Sequence, residues 1–506
     1  RATSSEVSAA QAAPPITPIR LDCLPSGAGH DYQVGPGAGQ LAELDQVPWD
    51  RLSGGDTVRI FHRDRPYAGK FIVSAQASAK VPVRICGVRG PNGDRPIITG
   101  ENAVTRPGSD YGHPLHQSRS VIVVKPLASQ GWQAYPRHVR IDGLHIRSAH
   151  PSYSFTDDSG SRQRYEAFGA CVWIERGHDI VIADNEIEDC SQGIVSRSTD
   201  DGDFAVTRRI RLVGNYLHDN GIAGNDRVHA SYMQSADVVY EFNRYGPMRR
   251  GAGGNAIKDR SIGTVVRYNR IEDGARALDL VEAEDNPRVA MADPAYRSTY
   301  VYGNQIVKHG ETGSTIHYGG DHTTSTPGAL WGEPIFRKGT LYFFNNTVYV
   351  RGSGYAVLFQ LSTTEERAQI WNNVFVFDRT VPLPLMRSTT EVGAAWTPGG
   401  ILSLGRNWID DRWVDASRGA RIGGQVLGVS NLLDGSTPPV NLQTLRPLTG
   451  SAIIDAGIPG PSEARGYPVE YQLGHDFQPV ARKVSGTAID LGAIESLSGQ
   501  LSTAAN

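Results

Sequence analysis

Ionisable side chains gather in one stretch of the sequence, between residues 229 and 322. Lys258 and Arg260 lie two residues apart in NAIKDRS, and the upstream segment HASYMQ carries His229 and Tyr232. A lysine beside another cation loses its proton more readily and can act as a base, while a tyrosine or histidine can donate a proton. Together these residue types could abstract a proton and protonate a leaving group.

Carboxylates and further polar residues follow in the next two segments. The side chains offered by ARALDLVEAED and STIHYGGDH are Asp279, Glu282, Glu284, His317, Tyr318, Asp321 and His322. Two carboxylates could serve a glycoside hydrolase. Alternatively, Glu282 and Glu284 could bind a Ca²⁺ ion, so the residues leave open whether a metal is needed.

A short phrase of β-forming residues followed by Asn recurs from about residue 140 onward. Its Asn residues, 26 to 42 positions apart, are Asn185, Asn215, Asn243, Asn269, Asn304, Asn346 and Asn373. Phrases such as VIADNEI and VVRYNRI are short, rich in Val, Ile and Tyr, and bounded by turn residues, which indicates strands. Short strands at this period predict stacked coils. We expect each Asn to adopt the left-handed conformation at a bend and to hydrogen-bond the Asn on neighbouring coils.

Alignment on the Asn residues predicts which side chains stack. Tyr232 and Lys258 each lie 11 residues before an Asn, so they should occupy adjacent coils. Strand alternation then directs Ile257 inward and Lys258 and Arg260 outward. The prediction is a groove lined by ionisable and phenolic groups on four consecutive coils.

The run IDGLHI, followed by the Asn-x-Ile phrases, resembles the right-handed parallel β-helix superfamily that includes pectate lyases, alginate lyases and chondroitinase B. The resemblance covers roughly residues 56–377, with GDTVRIFHR and PVRICGVRG similar to opening coils. AIKDRSIGTVVRYNRI resembles the phrase around the base lysine of the alginate lyase and chondroitinase B family, which implies that role for Lys258. Where that family has Leu-Arg-His-Gly on the next coil, this chain has LVEA, so Val281 and Glu282 take the Arg and His positions. Either Arg260 has the arginine role or the chemistry differs.

These observations predict an all-β chain, a single-stranded right-handed parallel β-helix with long loops and a C-terminal extension. Its 506 residues would otherwise suggest about three domains. We place a flexible N-terminal segment at 1–20, the β-helix with its N-terminal cap at 21–378, and at 379–506 an extension that packs on the helix or continues it. The largest Asn spacings predict loops at about 284–297 and 322–337, and IDLGAIES is interpreted as a last strand that pairs back on the body.

Composition narrows the class of protein. A net charge of −3 and 20% charged residues argue against a nucleic-acid binder, and no run approaches the ~20 apolar residues of a membrane span. The four cysteines, Cys23, Cys86, Cys171 and Cys190, could form two disulfides. The first stretch is rich in Ala, Ser and Pro and does not begin with Met, so we expect a secreted or periplasmic protein. We further expect a bacterial protein that acts as a monomer.

The leading hypothesis is a lyase that cleaves a uronate-containing, acidic polysaccharide by β-elimination. The catalytic candidates are Lys258 as base or neutraliser, Arg260 as carboxylate clamp, and Tyr232 or His229 as acid. The substrate-binding candidates are Gln234, Asp279, Glu282, His317, Tyr318, His322 and Trp331. The alternatives are a glycoside hydrolase that uses Asp279 with Glu282 or Glu284, and a non-catalytic carbohydrate-binding β-helix.

Overall fold

The computed structural model describes residues 11–354, 356–388 and 394–497, and within them it forms three long parallel sheets that share one core. The strands of sheet A are Asp31–Val34, Thr57–Phe61, Val83–Val88, Arg137–Asp142, His178–Ala183, Arg208–Val213, Val239–Glu241, Val265–Arg267, Ser298–Tyr302, Thr340–Phe344, Arg367–Trp371, Ile401–Leu404 and Gln425–Leu427. Each strand pairs in parallel with the strand one coil away. The predicted right-handed parallel β-helix is confirmed.

Sheets B and C complete each coil. Sheet B contains Ile97–Thr105, His145–Arg147, Glu186–Glu188, Tyr216–His218, Arg244–Tyr245, Arg270–Glu272, Gln305–His309, Thr347–Arg351, Val374–Phe377, Trp408–Asp410 and Leu433–Gly435. Sheet C contains Tyr67–Val73, Ser120–Val124, Ala170–Ile174, Gln192–Ser196, Ser231–Met233, Ile257–Asp259, Leu278–Leu280, Ile316–Tyr318, Ala356–Leu361 and Pro384–Arg387. Tyr67–Val73 also pairs with the first strand of sheet B. Alternate residues of all three sheets point inward and stack into one buried apolar column, for example Ile257, Leu278 and Ile316 on sheet C.

The remaining elements are short and lie outside the coils. Two antiparallel pairs join Ser154–Thr156 to Arg162–Arg164 and Tyr471–Leu473 to Pro479–Ala481. The α-helices are Leu115–Ser118 and Pro287–Ala292. The 3₁₀ turns are Leu44–Gln46, Trp49–Arg51, Ala128–Gln130, Asp203–Ala205, Pro294–Arg297, Glu333–Ile335, Val429–Asn431 and Ser462–Ala464. None of the helices within the described ranges has the length and apolar character needed to span a membrane.

A ladder of buried asparagines marks the bend between sheets A and B. Each Nδ2 donates to Oδ1 of the Asn on the next coil at 2.9–3.2 Å, from Asn185 to Asn407. The predicted stacking is therefore confirmed, with Asn407 as a further member. The expected left-handed conformation is wrong for the ladder residues, because the residue before the Asn has the positive φ, as in Phe242 and Tyr268. The Asn serves as a hydrogen-bonding side chain while its neighbour makes the turn.

Replacement of one ladder residue should destabilise the whole solenoid. Asn243 Oδ1 accepts from both the backbone N and Nδ2 of Asn215, and its own Nδ2 donates to Leu212 O. Asn243→Leu preserves the volume but leaves these buried groups without partners, so we expect a loss of about 2 kcal/mol or more in unfolding free energy. Guanidinium unfolding measures this change in free energy, and Asn92→Ala, which replaces an exposed Asn outside the ladder, is the control. Equal midpoints for the two variants would contradict a stabilising ladder.

Both chain ends cover the outer face of sheet A. Residues 11–20 lie along it, where Thr17 N donates to Glu241 Oε1 and Arg267 donates to Pro15 O. Residues from the extension pack on the same face, and Tyr467 stacks on Tyr300 with ring centres 3.5 Å apart. The segment IDLGAIES folds back as predicted but forms bends and not a strand; Asn345 Nδ2 donates to its backbone. Residues 1–10 of the predicted N-terminal segment 1–20 lie outside the described residues.

Two disulfides tie loops to the coils. Cys23 pairs with Cys86 and Cys171 with Cys190, which confirms the expectation of two bridges. Such bridges persist in oxidising compartments, so they fit a periplasmic or extracellular protein.

Candidate active site

The outer face of sheet C changes from apolar to ionisable along the solenoid. Tyr232, Lys258, Asp279 and His317 lie side by side in register on four consecutive strands, as the Asn alignment predicts for the first two. Toward the N-terminus the same row continues through Ile72, Val123, Trp173 and Val195. The chemistry-bearing groups are therefore confined to the C-terminal half of this row.

Lys258 is held between two carboxylates. Its Nζ donates to Asp279 Oδ2 at 2.6 Å and to Asp321 Oδ2. Asp279 is buried and also contacts His317 Nδ1, at 2.7 Å, and Asn255 Nδ2, at 2.9 Å. Burial opposes ionisation of Asp279, but Lys258 and His317 hold its pKa well below the usual value. Asp279 therefore remains ionised and holds Lys258 Nζ by a hydrogen bond.

This pairing corrects the residue comparison made from the sequence. The strand register puts Asp279 directly beside Lys258 on the next coil. Val281 is buried beyond that strand, and the carboxylate of Glu282 contacts Arg260. The neighbour of Lys258 is thus an acid where the resemblance implies an arginine.

Arg260 contacts three carboxylates and a phenol. Its guanidinium donates to Glu282 Oε2 at 3.0 Å and to both oxygens of Asp321 at 2.9 and 3.0 Å. Its Nε lies 3.2 Å from Glu284 Oε1 and donates to Tyr232 Oη at 2.8 Å. We call Lys258, Arg260, Asp279, Glu282, Glu284, Asp321 and His322 the charged cluster.

Tyr232 joins the outer row to the charged cluster. Its hydroxyl accepts from Arg260 Nε and donates to Glu284 Oε1 at 2.9 Å. Burial raises the pKa of Tyr232, with Arg260 opposing, so the phenol stays protonated at neutral pH. A protonated hydroxyl between a cation and a carboxylate can give its proton to a leaving oxygen.

The solvent edge of the cluster consists of Asp321, His322 and Glu284, whose side chains are 22, 29 and 15% exposed. His322 contacts Glu282 Oε1 through Nδ1 and Glu284 Oε2 through Nε2. Although burial opposes it, Glu282 and Asp321 raise the pKa of His322. Trp331 lies beside the His322 ring at 4.1 Å, in the predicted loop, and is 44% exposed. The accessible part of the site thus combines charges with an aromatic surface.

Two residues that the sequence predicts to act in the site, His229 and Gln234, lie beneath this edge. Burial lowers the pKa of His229 to about 3, and its Nδ1 accepts from Asn255 N at 2.9 Å, so the ring is neutral and turned into the fold. Gln234 is buried and hydrogen-bonds the Asp285 side chain. Both residues therefore support the groove from below.

Three substrate-binding assignments need correction because the side chains have no accessible surface. Tyr318 points into the apolar core, since it follows His317 on an alternating strand. His317 and Glu282 face outward but are covered by their partners in the cluster. Asp321, which the sequence places on this coil, was left out of the predicted site yet contacts both cations. Asp321 lies in a loop, where side chains do not alternate between two faces as they do in a strand, so the sequence did not indicate this contact.

The oxygen and nitrogen ligand atoms of the charged cluster decide whether it suits the predicted Ca²⁺ ion. Glu282, Asp321 and His322, and not the predicted pair Glu282 and Glu284, place three ligand atoms within 4.8 Å of one another. All four carboxylate oxygens of Glu282 and Asp321 already accept from protein N–H groups, chiefly those of Arg260. Ca²⁺ prefers six to eight oxygen ligands. The arrangement does not fit Ca²⁺, because Arg260 occupies the position between the carboxylates.

Comparison with known proteins gives structural likeness only. No protein family model and no curated protein sequence matches this chain. Pectate lyase Pel9A is similar at 8% identity and a TM-score of 0.42, with 93% of this chain and 98% of that chain covered. The GH136 lacto-N-biosidase from Eubacterium ramulus has 11% identity, 81 and 68% coverage and a TM-score of 0.42. The PL6 family alginate lyase AlyGC has 11% identity, 78 and 53% coverage and a TM-score of 0.38. Likenesses this distant show the fold alone and assign no activity.

Proposed function

We propose that this protein is a polysaccharide lyase that cleaves a uronate-containing chain by β-elimination. The observation that supports it is the contact of Lys258 and Arg260 with one carboxylate, that of Asp321, at the solvent edge of the groove. Elimination requires a cationic site that binds the uronate carboxylate and stabilises the charge that develops on it. Asp321 occupies the position that such a carboxylate would take.

The charge balance of the cluster supports replacement of Asp321 by substrate. Lys258 and Arg260 face four carboxylates and His322 adds at most one further positive charge, so a further anion would enter a site that is already negative. A uronate that displaces the partly exposed Asp321 leaves the number of charges unchanged. We therefore propose that the Asp321 side chain moves aside when substrate binds.

The proton transfers can follow the hydrogen bond between Tyr232 and Glu284. Glu284 takes the C5 proton, the electron pair forms the C4–C5 double bond, and the C4–O bond breaks. Tyr232 gives its proton to the leaving oxygen and regains one from Glu284, with Arg260 stabilising the transient phenolate. The net result of these transfers is that one proton moves from C5 to the leaving oxygen, and no step requires a metal. Lys258, already bound to two carboxylates, neutralises charge in this scheme and is not the base.

A panel of uronate polymers tests the proposal. With polygalacturonate, alginate and hyaluronate, we expect ultraviolet absorbance from unsaturated ends to rise with new reducing ends on at least one polymer. Since Arg260 takes the place that a cation would fill, the rate should be the same with and without EDTA. Reducing ends without that absorbance would exclude elimination, and complete loss of rate in EDTA would show that a metal is required.

A second candidate, glycoside hydrolysis, is favoured by the accessible carboxylates. Burial and the neighbouring Glu284 raise the pKa of Asp285, whereas Lys258 and Arg260, against the effect of burial, hold that of Asp321 below its usual value. Carboxyls whose pKa values diverge in this way can act as general acid and as nucleophile or base. The predicted pair Asp279 and Glu282 cannot do so, because both are buried and fully hydrogen-bonded. Reducing ends without unsaturation in the polymer assay would identify this activity.

A further inference from the structure

A second cleft of about 340 Å³ opens beside the first coils of sheet C. Lys125 follows the strand Ser120–Val124, and Glu175 and Arg176 follow Ala170–Ile174, just as Arg260 follows Ile257–Asp259. The cleft therefore lies along the same edge of the sheet as the charged cluster. Three strand spacings of about 4.8 Å separate the two, so their distance along the solenoid is about 14 Å.

Two buried polar atoms in this cleft have no hydrogen-bond partner among the described residues. They are the hydroxyl of Tyr111, a side chain only 2% exposed, and Nδ1 of His116. Burial lowers the pKa of His116 to about 4, so the ring is neutral and can exchange hydrogen bonds with a neutral ligand group. Burying a polar group without a hydrogen-bond partner is unfavourable, so a ligand that supplies partners is favoured here. Hydroxyl groups of a bound ligand would satisfy both.

Cations outnumber carboxylates among the residues that line the cleft, in contrast to the charged cluster. The lining cations are Lys125 and Arg176, and the lining carboxylate is Glu175, while Asp110 and Asp201 lie farther out near the two cations. Glu175 is already engaged by Arg119 at 3.5 Å and by Arg197 at 3.2 Å. Among the bonds described, Lys125 Nζ donates only to the carbonyl of the neighbouring Pro126. Lys125 and Arg176 together therefore leave the cleft with a net positive charge. This balance favours an anionic ligand.

Exposed aromatic side chains connect the cleft to the charged cluster. Within the described part of the chain the exposed Trp and Phe residues are Trp132, Phe168 and Trp331, and all three lie on this face. Trp132 borders the cleft, is 66% exposed, and is held by Arg176 at 4.9 Å and Phe204 at 5.8 Å. Phe168 stands between Trp173 and Tyr232, with ring centres at 6.3 and 6.1 Å. Flat apolar surfaces beside polar groups suit sugar rings, which have both characters.

We propose that this cleft is a second saccharide-binding subsite, which takes an acidic sugar unit of the same polymer that reaches the charged cluster. Trp132 would pack on the ring, Lys125 and Arg176 would face its carboxylate, and Tyr111 and His116 would hydrogen-bond its hydroxyls. The proposal rests on the proposed function for the class of polymer. It implies a substrate long enough to span about 14 Å of the groove.

Binding and cleavage by variants test the subsite. Trp132→Ala and Lys125→Met are compared with the unsubstituted protein and with Val484→Ala, an exposed apolar residue of the C-terminal extension. The probes are polygalacturonate and alginate, with their disaccharides as ligands too short to reach both sites. We expect the Kd for the better-bound polymer to rise about tenfold or more in both cleft variants, with Val484→Ala unchanged and disaccharide binding to the cluster unaltered.

The outcomes separate this proposal from the proposed function. A polymer Kd within twofold of the original in both variants, or no binding of either polymer, would overturn the subsite. Weaker polymer binding without any unsaturated product would support the subsite and refute the lyase. Unsaturated product with an unchanged Kd would support the lyase and refute the subsite. Thermal unfolding midpoints of the two variants verify that they are folded.

Discussion

Tyr232→Phe is expected to lower kcat on a uronate polymer by about 10²- to 10⁴-fold, the range of a lost general acid. The Tyr232 hydroxyl contacts both Arg260 Nε and Glu284 Oε1, so it can pass a proton between Glu284 and the leaving oxygen. Phe keeps the ring packed against Trp173 and Val195, and Arg260 retains its contact with Glu284 at 3.2 Å. Initial rates of ultraviolet absorbance increase measure the effect.

The fold and the Kd for polymer should survive this substitution, because the hydroxyl is not part of the carboxylate-binding contacts. Tyr342→Phe is the matched control, since Tyr342 is equally buried but lies on sheet A, away from the groove. Its rate should remain within twofold of the original. A similar rate for Tyr232→Phe would exclude the proton relay and turn attention to the carboxylates of the second candidate.

The sequence determines the coils and the stacking of side chains because both follow from the spacing of the ladder asparagines. That spacing placed Tyr232 beside Lys258 and Arg260 on the same outer face, as the structure has them. Strand alternation also predicts that Ile257 lies inside. Long loops were located from the two largest intervals, and the structure has a helix and a 3₁₀ turn between 284 and 297.

The pairing of charges could not be predicted in the same way. Strand alternation shows that Asp279 and His317 face outward, but not that both are buried or that Asp279 contacts Lys258 and His317 at once. Asp321 follows Gly319 and Gly320, where the chain leaves the strand period, so its return to both cations depends on loop conformation. Tyr318 was predicted to bind substrate together with its neighbour His317, whereas the alternation of side chains along the strand turns it into the core.

Arg337→Met is expected to lower the unfolding free energy by about 3–5 kcal/mol, the range for breaking a buried ion pair. Arg337 has no exposed surface and donates to Asp259 Oδ1 at 3.0 Å, Val281 O at 2.9 Å and Ser261 O at 2.9 Å. It therefore joins the end of the loop that carries Asp321 to the strands that carry Arg260 and Glu282. Met fills similar space but leaves the Asp259 charge and the carbonyls without this donor.

Lys338→Met provides the control, because the adjacent lysine is also cationic but pairs at the surface. Its Nζ contacts Glu333 and, at 2.8 Å, Glu365; the side chains of Lys338, Glu333 and Glu365 are 20, 18 and 60% exposed. Pairs that solvent reaches in this way contribute about 0–1 kcal/mol. The unfolding free energies of the two variants, measured with guanidinium, should thus differ by several kcal/mol. Activity should also fall in Arg337→Met, because the loop that carries Asp321 loses its anchor. Equal stability of both variants would mean that the loop is held by its other contacts and that Arg337 does not position the site.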